Sequence, residues 1–284
     1  GEAQILTDRL LADARTSMEE VAEIHLRPLS LQSTRLMLEA IFTDAPKGLM
    51  DLADTLQEKT GGNPFYLRRL LQALVQDGAI YYSPVEQAWT CRVQDVARYP
   101  ASESIVSFVT ARLEKEGPEA LLLLQTMACI GPEADRVVIA SALSVSEEHL
   151  LQLAAPLVRS GFVLLSPAKI SFAHDRIQEA AYSLMDDATK RERHLHLADV
   201  MMALWDSGTN APAFAIANQI EQCRGEQLPL AKRKVFVEAL LAALGYARRS
   251  AAFGQAVRYG ESAVGLIEDD LWADDYALSF RAHI

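Results

Sequence analysis

Two short stretches hold the residues whose types and spacing could do chemistry. The first is Thr60-Gly61-Gly62-Asn63-Pro64-Phe65-Tyr66-Leu67. A glycine pair tolerates the left-handed conformation that ends a helix, and Asn63 suits an N-cap. Pro64 fits the first helical position, where its missing N–H costs nothing. These residues spell a sharp helix–turn–helix corner. Such a corner presents backbone N–H groups at a helix start, where a ligand can dock, although a plain helix break uses the same residues. The second stretch is Phe172-Ala173-His174-Asp175-Arg176-Ile177-Gln178. Asp175 is expected to cap a helix there, with Gln178 reaching back as a capping box. His174 stands where a strand meets the helix start, a place that also suits a packed or solvated histidine.

Several familiar chemistries have no residues to perform them. There is no Gly-x-x-x-x-Gly-Lys-Ser/Thr phosphate loop, and no apolar run ending in an acidic pair that could hold Mg²⁺. An HExxH, a nucleophile elbow and a CxxC pair are likewise missing. His194 and His196 lie two apart on an expected helix and do not share a face, so no metal site is assigned to them. No residue of the chain is assigned a catalytic role.

Stepping outward from the corner, Leu49 to Lys59 carries apolar residues at helical spacing, and Leu67, Leu70, Leu71 and Leu74 form a stripe closed by Gly78. Ser30 is the expected cap of a helix through Phe42, with Leu31, Leu38, Ile41 and Phe42 inward. Ala79 to Tyr82 and Trp89 to Cys91 read as a hairpin around Ser83-Pro84. Near the start of the chain, residues 1–17 suit a helix and Val21 to Leu26 a short strand. From Ser102, helices are expected through Leu113, over Glu119 to Ile130, over Arg136 to Leu143, and from a Ser146 cap to Gly161. Strands Phe162–Leu165 and Ile170–Ala173 follow. Three helices and a two-stranded wing describe a winged helix-turn-helix. Beyond Ala188 the pattern is helical: Ala188 to Trp205, Ala213 to Arg224, Leu230 to Arg249 and Phe253 to Ile267. The last pair places Leu244, Gly245, Tyr246, Ala251, Ala256 and Tyr259 much as a tetratricopeptide hairpin does.

Composition bounds the rest. Of 284 residues, 50% are hydrophobic and only 7% aromatic, which favours helices and a sizeable core. The net charge of −11 excludes a general nucleic-acid surface and adhesion to anionic membranes. The helix before the wing begins Glu147-Glu148, unlike a groove reader, so no DNA binding is assigned to it. Cys91, Cys129 and Cys223 show no pairing or metal spacing, and suit buried apolar roles in a reducing cytoplasm. No apolar run approaches the roughly 18 residues of a membrane helix. The first residue is Gly and the last turn has no stop signal, from which a piece of a longer chain is expected.

Gly-Gly-Asn-Pro-Phe-Tyr-Leu at 61–67 resembles the Gly-x-Pro motif in the helical lid of STAND-class signalling ATPases, relatives of the AAA+ machines. The run Phe172 to Tyr182 resembles their methionine-histidine-aspartate motif, with Ala173 replacing the usual methionine or leucine. It is most similar to the bacterial branch of Ser/Thr-kinase–ATPase–histidine-kinase proteins and ATP-dependent transcription activators. The resemblance implies a mainly α fold in four parts: 1–29 as the end of a nucleotide-binding α/β core, 30–100 as helical lid, 101–187 as winged helix and 188–284 as a TPR-like region. It implies ATP or ADP with Mg²⁺ as cofactor, the Mg²⁺ ligands lying elsewhere. Gly62 and Pro64 would be the nucleotide-binding motif residues, with Pro64 against the base, His174 at the phosphates, and Arg68 at either a phosphate or solvent. Implied partners are an upstream core with kinase or output domains of the same chain, and a protein bound by the helical repeats. The alternatives are a nucleotide-independent helical scaffold for a protein partner and part of an ATP-dependent transcription activator.

Overall fold

In a computed structural model the chain is described over residues 26–42, 48–98, 105–206, 213–223 and 227–284. The fold is mainly α: among these residues are 15 helices and five strands of three or four residues. The expected helix over 1–17, most of the strand ending at Leu26, and the helix start at Ser102 lie outside the described residues. Leu26 itself is exposed and not in a strand. The chain forms two compact units, 1–103 and 104–284.

In the first unit, α1 (Leu31–Ile41) and α2 (Leu49–Thr60) pack together, and α3 (Pro64–Gln76) follows the glycine corner. The hairpin β1 (Ile80–Ser83) and β2 (Ala88–Cys91) pairs Ile80 with Cys91 and Ser83 with Ala88. Helix α4 (Val93–Arg98) then returns to α2. Ser30 caps α1 through the Ser33 N–H, as the sequence predicts. The inward stripe of α1 differs by one position, because Thr34 and Leu38 are buried while Ile41 is exposed. Thr34 can be buried because its hydroxyl donates to Gln57 Oε1 at 2.7 Å, which removes the cost of an unpaired polar group. The Leu67, Leu70, Leu71 and Leu74 stripe is buried as a whole. Phe42 and Tyr82 both meet Trp89 edge-on, with ring centroids 5.2 and 5.9 Å away.

The second unit begins with α5 (Ile105–Leu113) and α6 (Pro118–Ile130), and then strand β3 (Glu133–Asp135), α7 (Arg136–Leu143) and α8 (Glu147–Arg159). Strands β4 (Val163–Leu165) and β5 (Lys169–Phe172) complete a three-stranded antiparallel sheet in the order β3-β5-β4. Two strands are expected from the sequence. The third is hidden because Glu133-Ala134-Asp135 has little strand propensity and is held only by distant pairing with Lys169 to Ser171. On α8, Leu150, Ala154 and Leu157 face inward, and Val158 is on the exposed side.

Helix α9 (Asp175–Ser183) packs on α5 and α6. The remaining helices are α10 (Asp187–Asp206), α11 (Ala213–Glu221), α12 (Leu230–Arg249), α13 (Phe253–Gly265), α14 (Asp269–Asp274) and α15 (Tyr276–His283). Neighbours α10–α11, α11–α12 and α12–α13 pack in succession around Phe236, Leu240, Ala243, Ala256 and Tyr259. Tyr259 stacks on Phe214 at 6.1 Å and its hydroxyl donates to Asn218 Oδ1 at 2.9 Å. Buried Arg233 on α12 reaches Glu268 at 3.2 Å, Asp270 on α14 and the Leu228 carbonyl, so the turn before α14 is tied by charge as well as packing. No single helix among the described residues is long and apolar enough to cross a membrane; α7 and α8 reach that length only as a pair bent by 101°.

Candidate functional site

The glycine corner is built by backbone conformation. Gly61 closes α2 in the left-handed region (φ 58°), its N–H bonding to Gln57 O, and Gly62 stays left-handed at φ 74°. Asn63 then caps α3: its Oδ1 accepts the Tyr66 N–H at 3.0 Å, with Pro64 in the first turn. The corner also holds the incoming chain. Leu29 N–H donates to Gly62 O at 2.8 Å, and Gln57 Nε2 donates to Leu29 O at 2.9 Å. A Cβ on Gly62 would lie 2.2 Å from Leu29 O, whereas one on Gly61 would meet nothing within 4 Å. Gly62 is therefore buried for a reason internal to the fold, while Pro64 is exposed at the helix start.

Arg68 is exposed one turn further along α3. It borders an apolar groove of about 410 Å³ between α1 and α3, walled by Met37, Ile41, Phe42, Leu71, Val75 and Trp89. Neither Gly62 nor Pro64 contributes to that groove.

His174 and Asp175 lie in the second unit, at the junction of β5 and α9. Here the sequence assignment shifts by one residue. His174 occupies the N-cap position in extended conformation, and Asp175 is the first residue of the helix. Gln178 does not close a capping box; its Nε2 donates to Ala128 O at 3.3 Å. The helix begins one residue early because the His174 carbonyl already accepts the Ile177 N–H at 3.0 Å, which leaves Asp175 inside the first turn. Both His174 Nδ1 (3.2 Å) and Asp175 Oδ1 (2.8 Å) lie within reach of the Arg176 N–H, and Nδ1 is also in close contact with that same carboxylate oxygen. Nδ1 cannot accept from Arg176 and donate to Asp175 at once. The shorter bond gives the N–H to the carboxylate and leaves Nδ1 protonated toward Asp175, which orients the ring. Arg176 closes the group by pairing with Glu179 at 2.6 Å.

Behind this start, α9 borders a cavity of about 490 Å³ whose wall includes Gly131, Asp175, Gln178, Tyr182, His194 and Gln219. His194 is buried, and each of its ring nitrogens has a partner: Gln219 Oε1 at 2.7 Å on Nδ1 and the Tyr182 hydroxyl at 3.1 Å on Nε2. Burial pulls its pKa below the ordinary histidine value, against the opposing effect of the Gln219 bond. His196, two residues on, points elsewhere and bonds Ala142 O at 2.9 Å. Sequence reasoning passed over the His194 network, since its only visible sign is a pair of histidines with the wrong spacing for a metal. Among the described residues, no three His, Cys, Asp or Glu side chains converge as metal ligands.

Comparison with known proteins adds one direction. No family model matches the chain. It is 20% identical to the hybrid signal transduction histidine kinase G of Dictyostelium discoideum over a 327-residue alignment, which covers 92% of this chain and 10% of that protein. The chain thus spans about a tenth of that relative's length.

Proposed function

We propose that this chain is the regulatory portion of a nucleotide-switched signalling ATPase, its first unit serving as lid and its second combining a winged helix with a TPR-like region. The observation that carries this reading is His174 at the N-cap of α9, part-exposed and oriented by Asp175 on the residue after it. Similarity along nearly the whole chain to a signal transduction histidine kinase supports a signalling role. Pro64, exposed at the start of α3, offers a flat apolar ring suited to the face of an adenine. His174, part-exposed and oriented by Asp175, presents an imidazole suited to hydrogen-bonding a phosphate oxygen. Arg68 would supply positive charge, and the Mg²⁺ ligands would come from an upstream core carrying the phosphate loop.

In this account the chain's own residues bind and report; they do not cleave. Pro64 and His174 tie lid and winged helix to the core in the diphosphate state, and loss of the His174 bond frees them when the phosphates change. A preference of about 10⁴-fold between states moves a 1:99 equilibrium to 99:1, about 5.5 kcal/mol, which a few charge-assisted hydrogen bonds and a stacked base can supply. The output is an attached kinase or other signalling domain. The winged helix does not read DNA here, since α8 opens on exposed Glu147 and Glu148. One observation favours a second reading, a nucleotide-independent scaffold: Gly62 is already required by Leu29. The deciding experiment compares ADP release from a protein carrying this chain behind its core with release from its His174→Ala variant. Faster release supports the switch, and unchanged release removes His174 from it.

A further inference from the structure

The Tyr182–His194–Gln219 network spans a joint that the proposed function leaves unused. Helices α6 and α9 lie on one side of it, and α10 and α11 on the other. The direction of every bond follows from one end. The Cys129 carbonyl can only accept, so the Gln219 amide nitrogen, 3.0 Å away, must face it. Gln219 Oε1 then faces His194, which requires the proton on Nδ1, and Nε2 is left to accept from the Tyr182 hydroxyl. Neutral His194 in a single tautomer therefore closes an unbroken chain from α9 through α10 and α11 to the end of α6.

We propose that this chain is a proton-controlled latch: neutral His194 holds α9 and α6 to α10 and α11, and proton uptake at Nε2 opens the joint. An imidazolium at this buried position would keep only dipoles as partners. Its own helix adds like charge, with Lys190 Nζ 4.9 Å over the Tyr182 ring and Arg193 bonded to Gln125 at 3.1 Å. From α6 the only titratable neighbour is Cys129, whose thiol burial pushes up to about 11 and so keeps neutral. From α11 and the turn after it come the uncharged Asn218, Gln219 and Gln222, with Glu221 turned to Arg258 at 3.7 Å. Helix α7 carries one charge, Arg136, bonded to the Ser166 carbonyl. The counter-charges are on the open wall of the cavity, Asp175 and Glu179 of α9. Protonation at Nε2 therefore removes the acceptor of the Tyr182 hydroxyl and leaves a charge among dipoles, and the open, acidic wall of the cavity draws the ring out of the joint. The consequence for His174 rests on the proposed function, because Asp175 orients that histidine; the latch itself does not.

The test uses the 284-residue chain with ring-labelled histidine, followed by NMR and by hydrogen exchange from pH 7.5 to 5, with no nucleotide added. His194 is expected as the Nδ1–H tautomer, with a midpoint below the ordinary value of about 6.5. Amide exchange in α9 and α11 should rise about tenfold above its intrinsic pH trend on crossing that midpoint. Tyr182→Phe, which removes the donor to the neutral ring, should raise the midpoint by roughly half to one pH unit. His194→Gln should abolish the acid step. An Nε2–H tautomer, a midpoint at or above 6.5, an unmoved midpoint in Tyr182→Phe, or an acid step retained in His194→Gln overturns the latch. Any of these with ADP release still dependent on His174 would leave the switch standing, and the reverse pattern would leave the latch standing.

Discussion

Replacing Gly62 by Ala separates what the fold needs from what a ligand would need. The added Cβ would lie 2.2 Å from Leu29 O, 2.8 Å from Gln57 Nε2 and 3.1 Å from Leu29 N. Two of those atoms are backbone, so the relief must come from moving the chain at Leu29. That movement breaks the bonds from Leu29 N–H to Gly62 O and from Gln57 to Leu29 O, each worth about 1 kcal/mol. The left-handed φ of 74° adds about 1 kcal/mol for any residue with a Cβ. The sum is about 3 kcal/mol. Gly61→Ala is the internal control, since its φ of 58° carries the same conformational cost while its Cβ enters open space, for a total near 1 kcal/mol. Urea unfolding of both variants, followed by the fluorescence of Trp89, the half-buried tryptophan of the first unit, measures the difference. If Gly62→Ala is no more damaging than Gly61→Ala, the Leu29 clamp is not what Gly62 is for, and a ligand becomes the better reason for that glycine.

Other predictions follow from burial and charge. The folded pKa of His194 lies below its unfolded value, so its contribution to stability is complete above about pH 6.5 and is lost as pH falls toward the lower folded value. Asp186, Asp270 and Asp275 are held below the carboxylate range, Asp186 by the Thr189 N–H, Asp270 by Arg233 and Asp275 by the Leu278 N–H. Their contribution is present above about pH 4 and disappears at more acid pH, so thermal melts across pH 8 to 2 should show two separate declines. Burial pushes the thiols of Cys91 and Cys129 up to about 11 from an ordinary 9.0. The thiolate fraction at pH 8 is then about a hundredfold lower than in the unfolded chain, and alkylation should be slower by a similar factor; equal rates in native and denatured protein would contradict this.

Local periodicity made much of this fold legible. The leucine stripe of α3 and both ends of α12 stand where apolar spacing, Asn63 and the turn residues place them. The features that were missed are those made by distant contacts. Strand β3 exists because Lys169 to Ser171 come to pair with it. Helices α14 and α15 are six and eight residues long, too short for a stripe to show, and the second is fixed by Asp275 accepting the Leu278 N–H at 3.0 Å. The cap of α9 slid to His174 because its backbone carbonyl takes the Ile177 N–H, a bond that no side-chain signal announces. In the candidate site, the glycine pair announced a left-handed turn, but nothing local pointed to Leu29 as its partner. Cys129 and Cys223 are buried, in keeping with their apolar reading, whereas Cys91, on the two-stranded hairpin, is only half-buried.

His174 is the residue on which the proposed switch turns. The measurement is the rate at which bound ADP leaves a protein carrying this chain behind its nucleotide core, with and without His174→Ala. The variant is expected to lose ADP faster and to raise basal output, because the imidazole that Asp175 orients at the start of α9 would no longer reach a phosphate. Equal loss from both proteins would contradict it.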